Sequence, residues 1–389
     1  MSGILKLISV FLGIVCFQNV YSVNLSQNNQ GQVLLFPYVQ TTAATSSELS
    51  IVNSTNKSKA LKIRFLNPSG ELVTTLNLYL SPYDSWAGRL VLGEDQFMQI
   101  ITKDKSCLLK KDNFKFQEGS IEVLEMGTLN ASTDVKNCQL LNENWLSEGV
   151  FHKEILDAPT SGLFGRATIF MKNTAFVVQP IALEAWRSSS LHTPPGSVKP
   201  DLSDVYPKVS YFMSNMLAVK MSWNNGNAAD PVTSLFMASE IHTSYKTDAT
   251  QGIRTDIVYY QPTRVFYPTD LECKEDEFKF YDRNYLYDRS QKFNKKICSA
   301  NFVLSINNAK VLSSSFTDKI IDLNLTNGNL ALYVNKNKLT SDEGHSLFGI
   351  PILGVSFQEG TPMSKTWSST QKSSYKKDFT LKEIPGISK

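Results

Sequence analysis

Hydrophobic and polar positions alternate with period two in the first half of the chain. Within residues 60–66, Leu61, Ile63 and Phe65 interleave with Lys62 and Arg64, the signature of a strand with one face on a core and the other toward solvent. Residues 33–39, 48–52, 72–80, 121–125, 167–171 and 175–186 also read as extended. Turn chemistry separates several of them, at Asn53-Ser54-Thr55-Asn56, Asn67-Pro68-Ser69-Gly70 and Lys172-Asn173-Thr174. Pro37 and Pro82 mark strand ends or edges, where a missing amide donor is tolerated. The pattern stops at residues 187–207, which carry Ser188-Ser189-Ser190 with Pro194, Pro195, Pro200 and Pro207. It resumes at 235–237, 256–260, 264–267, 302–306, 319–325, 330–334 and 350–357. No amphipathic stretch of 10 to 15 residues intervenes, so the expected fold is all-β: two antiparallel immunoglobulin-like β-sandwich domains joined by a Pro/Ser-rich linker. The expected layout is a first β-sandwich over 23–190, a linker over 191–207, a second β domain over 208–360 and a basic flexible tail over 361–389.

The first 22 residues follow a different pattern. Lys6 precedes an apolar run over residues 7–17, then Gln18 and Asn19, then Val20-Tyr21-Ser22 with small or modest residues where a signal peptidase reads. The run is too short for a bilayer core, which needs roughly 20 apolar residues. The segment reads as a signal peptide cleaved before Val23, and Gly13-Ile14-Val15 lacks the small residue a lipidated Cys16 needs before it. The mature chain is therefore expected to be exported to the periplasm, the cell surface or the medium, with no transmembrane span.

Composition narrows the chemistry. The 389 residues are 42% hydrophobic and 11% aromatic, with 39 Lys and Arg against 36 Asp and Glu, a folded and nearly balanced chain with no electrostatic case for nucleic acid. Basic excess is confined to the tail, where Lys365, Lys372, Lys376, Lys377, Lys382 and Lys389 face only Asp378 and Glu383. After cleavage Cys107, Cys138, Cys273 and Cys298 remain, two in each half. Export and proximity along the chain favour Cys107 with Cys138 and Cys273 with Cys298 among the three connectivities. No CxxC occurs, and His152, His192, His242 and His345 lack ligand spacing, so neither a metal nor a cofactor is expected.

Catalytic patterns fare no better. There is no G-x-S-x-G elbow, and Ser-x-x-Lys at 54–57, 369–372 and 373–376 falls in turns or the tail. Glu272, Glu275, Asp276, Glu277, Asp282 and Asp288 could supply paired carboxylates to a hydrolase, but Lys274, Lys279, Arg283 and Arg289 interleave with them, as on a neutralised solvated surface. The same segment holds Tyr281-Asp282-Arg283 and Tyr287-Asp288-Arg289. Tyr and Arg are the residues most enriched in binding hot spots, so Tyr281, Arg283, Tyr287 and Arg289 are the candidate binding residues. Against this stands a simpler role for the rings as the inward face of a hairpin. Trp86, Trp145, Trp186, Trp223 and Trp367 read as core.

The stretches Gly31-Gln32-Val33-Leu34-Leu35-Phe36-Pro37-Tyr38, Leu49-Ser50-Ile51-Val52-Asn53, Ala60-Leu61-Lys62-Ile63-Arg64-Phe65 and Asn77-Leu78-Tyr79-Leu80-Ser81-Pro82-Tyr83-Asp84-Ser85-Trp86 resemble an uncharacterised family of exported proteobacterial proteins. The likeness continues through Gly119-Ser120-Ile121-Glu122-Val123-Leu124-Glu125-Met126-Gly127, Gly162-Leu163-Phe164-Gly165 and Tyr281-Asp282-Arg283. It implies a bacterial, exported, β-rich protein and carries no activity, ligand or catalytic residue. The functional expectation is a non-enzymatic envelope or secreted protein acting through protein contacts. The alternatives are a glycan-binding, adhesin-like module and a hydrolase built on the 272–288 acids.

Overall fold

The computed structural model describes residues 24–26, 28–129, 135–142, 156–172, 174–202 and 204, and beyond them segments at 221–222, 240–246, 255–260, 275–282, 293–296, 301–306, 311–312, 314–315, 317–321, 327–333, 339–340, 346–347, 353–358 and 367–370. The fold is all-β, as expected. Its first half contains β1 (Asn24–Leu25), β2 (Val33–Gln40), β3 (Ser46–Asn53), β4 (Ser58–Leu66), β5 (Leu72–Leu80), β6 (Ser85–Leu92), β7 (Met98–Ile101), β8 (Cys107–Lys110), β9 (Glu118–Leu129), β10 (Leu156–Asp157), β11 (Leu163–Met171), β12 (Thr174–Val178) and β13 (Ile181–Glu184). An eight-stranded sheet runs β1-β13-β2-β9-β4-β5-β8, with β10 added to β9, and a five-stranded sheet runs β12-β11-β3-β6-β7. All the pairings in both sheets are antiparallel.

Later strands are β14 (Met221–Ser222), β15 (Glu240–Lys246), β16 (Thr255–Tyr260), β17 (Glu275–Asp282), β18 (Phe293–Lys296), β19 (Asn301–Ile306), β20 (Thr317–Ile321), β21 (Asn327–Tyr333), β22 (Leu339–Thr340), β23 (Ser346–Leu347), β24 (Leu353–Gln358) and β25 (Trp367–Thr370). They form sheets β14-β15-β21-β17-β18 and β20-β19-β16-β24-β25, with β22 and β23 paired separately.

The strand period places the core. Leu61, Ile63 and Phe65 of β4, Leu76 and Leu78 of β5, Leu49 and Ile51 of β3, Leu90 of β6 and Ile169 of β11 lie in one buried cluster between the two first-half sheets. Trp86 and Trp186 are buried in it, as expected. The same cluster takes in Val303 and Leu304 of β19 and Val355 and Phe357 of β24, so apolar contacts continue from the first half into the second. Phe357 packs edge-on against Tyr38 at 5.9 Å and Phe176 at 5.3 Å. The junction lies at a bulge in β2, where register shifts between Phe36 and Val39. There the Pro37 carbonyl accepts a 2.9 Å hydrogen bond from Asn301 Nδ2. Glu118 of β9 completes it: its carboxylate accepts from Tyr38 Oη (2.7 Å), Ser314 Oγ (2.6 Å), Ser315 N (2.9 Å) and the Ser315 hydroxyl.

Two expectations need correction. All nine residues of β4 are buried, Lys62 and Arg64 included, so its outer face does not meet solvent. What covers it is part of the Pro/Ser-rich segment expected to be a linker between domains. Lys62 Nζ donates to the carbonyls of Thr193 (3.2 Å) and Pro194 (2.7 Å), Arg64 to those of Val198 and Pro200, Asn77 Nδ2 to Thr193 O (2.9 Å) and Thr75 Oγ1 to Ser197 O (2.9 Å). Residues 191–200 are thus a strap across the eight-stranded sheet. Proline-rich chain cannot pair its main chain as a strand does, so its free carbonyls are satisfied by long side chains from below.

The disulfide Cys107–Cys138 is formed, with Cα atoms 5.1 Å apart. It ties β8 to a single helical turn capped by Asn137, whose Oδ1 accepts from Leu140 N at 3.0 Å. A second apolar cluster of Ala60, Tyr79, Leu109, Met126, Leu129, Val135 and Leu141 surrounds the bridge.

Candidate functional site

Three loops meet at one end of the first-half sandwich: 54–57 between β3 and β4, 81–84 between β5 and β6, and 158–162 between β10 and β11. Asn53, fully buried at the end of β3, joins the first two. Its amide nitrogen donates to the carbonyls of Lys57 (2.7 Å) and Ser81 (2.8 Å), and its Oδ1 accepts from the Thr55 amide (3.1 Å) and hydroxyl (2.7 Å). Ser54 donates to Gly162 O from both its amide (3.0 Å) and its hydroxyl (2.8 Å). Gly162 has φ +88°, and a Cβ there would lie 2.4 Å from Thr55 Cγ2, so only glycine allows these loops to close together.

The third loop is pinned from inside. Lys59 of β4 and Glu125 of β9 form a fully buried ion pair at 2.6 Å. Glu125 accepts the amides of Thr160 (2.9 Å) and Ser161 (3.1 Å), while Lys59 Nζ donates to Thr160 Oγ1 (2.9 Å) and Ser161 O (2.6 Å). Burial lowers the lysine pKa and raises that of the glutamate, and the attraction between the two opposes both shifts. Such a pair adds little net stability but is costly to break one partner at a time. Its effect is to fix the loop.

On this frame stands Tyr83. It is 72% exposed and has φ +55°, the left-handed region that a side chain of its size rarely adopts. Its amide donates to Thr55 O at 2.9 Å, and the neighbouring Asp84 carboxylate accepts from Ser81 N (3.2 Å), Ser85 N (2.9 Å) and Ser106 Oγ (3.3 Å). Strained backbone held by this many bonds is characteristic of functional loops. Phe164, 38% exposed, begins the adjoining sheet row, opposite Val52, which in turn faces Ser85. This end of the sandwich thus carries an exposed tyrosine and an exposed phenylalanine, with Ser, Thr and Asn in the joined loops, an arrangement suited to binding.

Sequence reasoning placed binding elsewhere. Tyr281 lies on β17, in register with Asn329 of β21; Arg283, Tyr287 and Arg289 lie outside the described residues, as do Cys273, Cys298, Glu272 and Asp288. Register sets Glu275 opposite Lys296 and Asp276 opposite Lys295. Among the described residues no cluster of His, Cys, Asp and Glu could hold a metal, and no helix is long and apolar enough to cross a membrane. The Tyr83 site was missed because its loops join through main-chain bonds. The visible signals were the Asn53-Ser54-Thr55-Asn56 and Ser81-Pro82-Tyr83-Asp84 turns.

No family model matches the chain, and no curated protein matches it. A crystal structure of an uncharacterized protein from Burkholderia cenocepacia is similar over 88% of this chain and 82% of that one, at 8% identity and a TM-score of 0.18, a likeness too slight to carry an argument.

Proposed function

We propose that this is an exported, non-enzymatic protein that binds a protein partner through the loop end bearing Tyr83. One observation carries the reading: an exposed tyrosine held in a left-handed conformation by a fastened three-loop frame. Tyrosine brings a large contact area with few rotamers to fix, and Ser, Thr and Asn around it supply adaptable hydrogen bonds, the composition of protein-binding loops on other β-sandwiches. The disulfide and the signal-like first 22 residues support export. Terminal sequencing of the mature chain should begin at Val23. A photo-crosslinking residue at position 83 or 164 should trap a protein adduct in intact cells, whereas one at exposed Glu71 should not. Equal labelling at all three positions would refute the assignment. The exposed Phe164 ring also favours a glycan reading, in which Tyr83→Ala abolishes retention on a sugar array and no protein adduct forms.

A further inference from the structure

Beneath the strap, Lys62 of β4 and Asn77 of β5 are direct partners across the strands, on the face turned from the core. Both are completely buried. Opposed side chains of an antiparallel pair have Cβ atoms about 4.5 to 5.5 Å apart, and here both nitrogens converge on one acceptor. Thr193 O receives Lys62 Nζ at 3.2 Å and Asn77 Nδ2 at 2.9 Å. Asn77 Oδ1 accepts no hydrogen bond, and the amide is oriented through Nδ2 alone.

The lysine is prepared for nucleophilic attack. Neither of its hydrogen-bond acceptors is a carboxylate, and burial together with the adjacent Arg64 charge lowers its pKa to about 7. A large fraction is then unprotonated at neutral pH, and the free amine is the reactive form. Glu122, the acid opposite Arg64, is held by that guanidinium at 3.0 Å. Tyr79 Oη lies 3.4 Å from Asn77 Nδ2 and 2.9 Å from His192 Nε2.

We propose that Lys62 and Asn77 form an intramolecular isopeptide bond that staples β4 to β5 beneath the strap. Lys62 Nζ adds to Asn77 Cγ, the Cγ–Nδ2 bond breaks, and ammonia leaves. One proton passes from Nζ to Nδ2, which the Tyr79 hydroxyl approaches at 3.4 Å. No oxidant or cofactor is needed. Holding the two groups together in a water-excluded site supplies the effective concentration that amide exchange lacks in solution. The buried setting also shields the product from hydrolysis. The proposal stands apart from the binding reading at Tyr83.

The test is the intact mass of the full mature chain. Loss of one ammonia, about 17 Da beyond the disulfide correction, is expected, together with a branched proteolytic fragment joining the peptides of Lys62 and Asn77. Asn77→Ala and Lys62→Arg should each restore the full mass, with circular dichroism confirming that the variants fold. An unmodified wild-type mass would overturn the proposal. So would an ammonia loss that persists in Asn77→Ala or maps to a succinimide or a cyclised glutamine.

Discussion

Phe357→Ala tests whether the apolar core is physically continuous between the halves of the chain. Phe357 lies on β24 and is fully buried, with its ring edge-on to Tyr38 of β2 and Phe176 of β12. Truncation removes about six buried ring carbons. Core Phe→Ala changes cost about 3 to 5 kcal/mol, the transfer and cavity contributions together, so the loss should be about 4 kcal/mol. If the halves unfold together, this loss appears in strands that never touch position 357. Hydrogen exchange read by mass spectrometry on peptides from β4 and β9 should then accelerate about 10³-fold where exchange requires global opening, since each 1.4 kcal/mol is a factor of ten. Ile101→Ala, at a position 56% exposed on edge strand β7, should move the same amides negligibly and serves as the control. Acceleration confined to β24 and its neighbours, with β4 and β9 unchanged, would refute the reasoning.

Replacing Cys107 and Cys138 together by Ser opens a link spanning 31 residues and should cost about 3 to 4 kcal/mol in urea unfolding. A loss under 1 kcal/mol would mean that the bridge constrains little of the unfolded chain. Glu118→Ala removes the carboxylate that accepts from the buried Tyr38 and Ser314 hydroxyls and should cost about 2 to 4 kcal/mol, with Glu118→Gln recovering part of it. Equal losses in the two variants would contradict the hydrogen bonding described at Glu118. Burial holds the His192 pKa well below 6.5. Below pH 6.5 the unfolded chain therefore takes up a proton that the fold refuses. Stability should fall as pH drops, by up to about 1.4 kcal/mol per pH unit until the folded pKa is reached, and His192→Gln should flatten that slope. An unchanged slope would show that the histidine does not titrate as argued.

The parts of the fold legible in the sequence were those where periodicity and burial agree. Leu72–Leu80 is a strand with the expected bounds, and the turn after Met171 does pair β11 with β12. The run at 175–186 splits into β12 and β13, separated by Gln179 and Pro180, where the proline has no amide to donate. Strand β6 carries an equally clear alternation, with Trp86, Gly88 and Leu90 inward and Ser85, Ala87 and Arg89 outward. Gly88 obscures it, because glycine usually signals a turn. Here a Cβ at position 88 would lie 2.5 Å from the Trp86 ring, so the glycine makes room for the indole within a continuous strand.

Polar residues in the strands carried the part of the site that sequence could not show. Lys62 and Arg64 read as a solvent face, because a polar position in a half-buried strand ordinarily meets water, and Lys59, Glu122 and Glu125 are polar positions in β4 and β9. In the fold each meets another segment instead: the strap for Lys62 and Arg64, Arg64 for Glu122, and the 158–162 loop for Lys59 and Glu125. The partners are largely backbone carbonyls and amides more than thirty residues away, and main-chain groups have no letter in a sequence. A polar strand position therefore reports that its surroundings are polar, and only the tertiary path of the chain decides whether they are solvent or a loop that must be held still. At the Tyr83 end it is a loop, and the buried Lys59–Glu125 pair, two polar letters in separate strands, is what holds Thr160 and Ser161 of that loop in place.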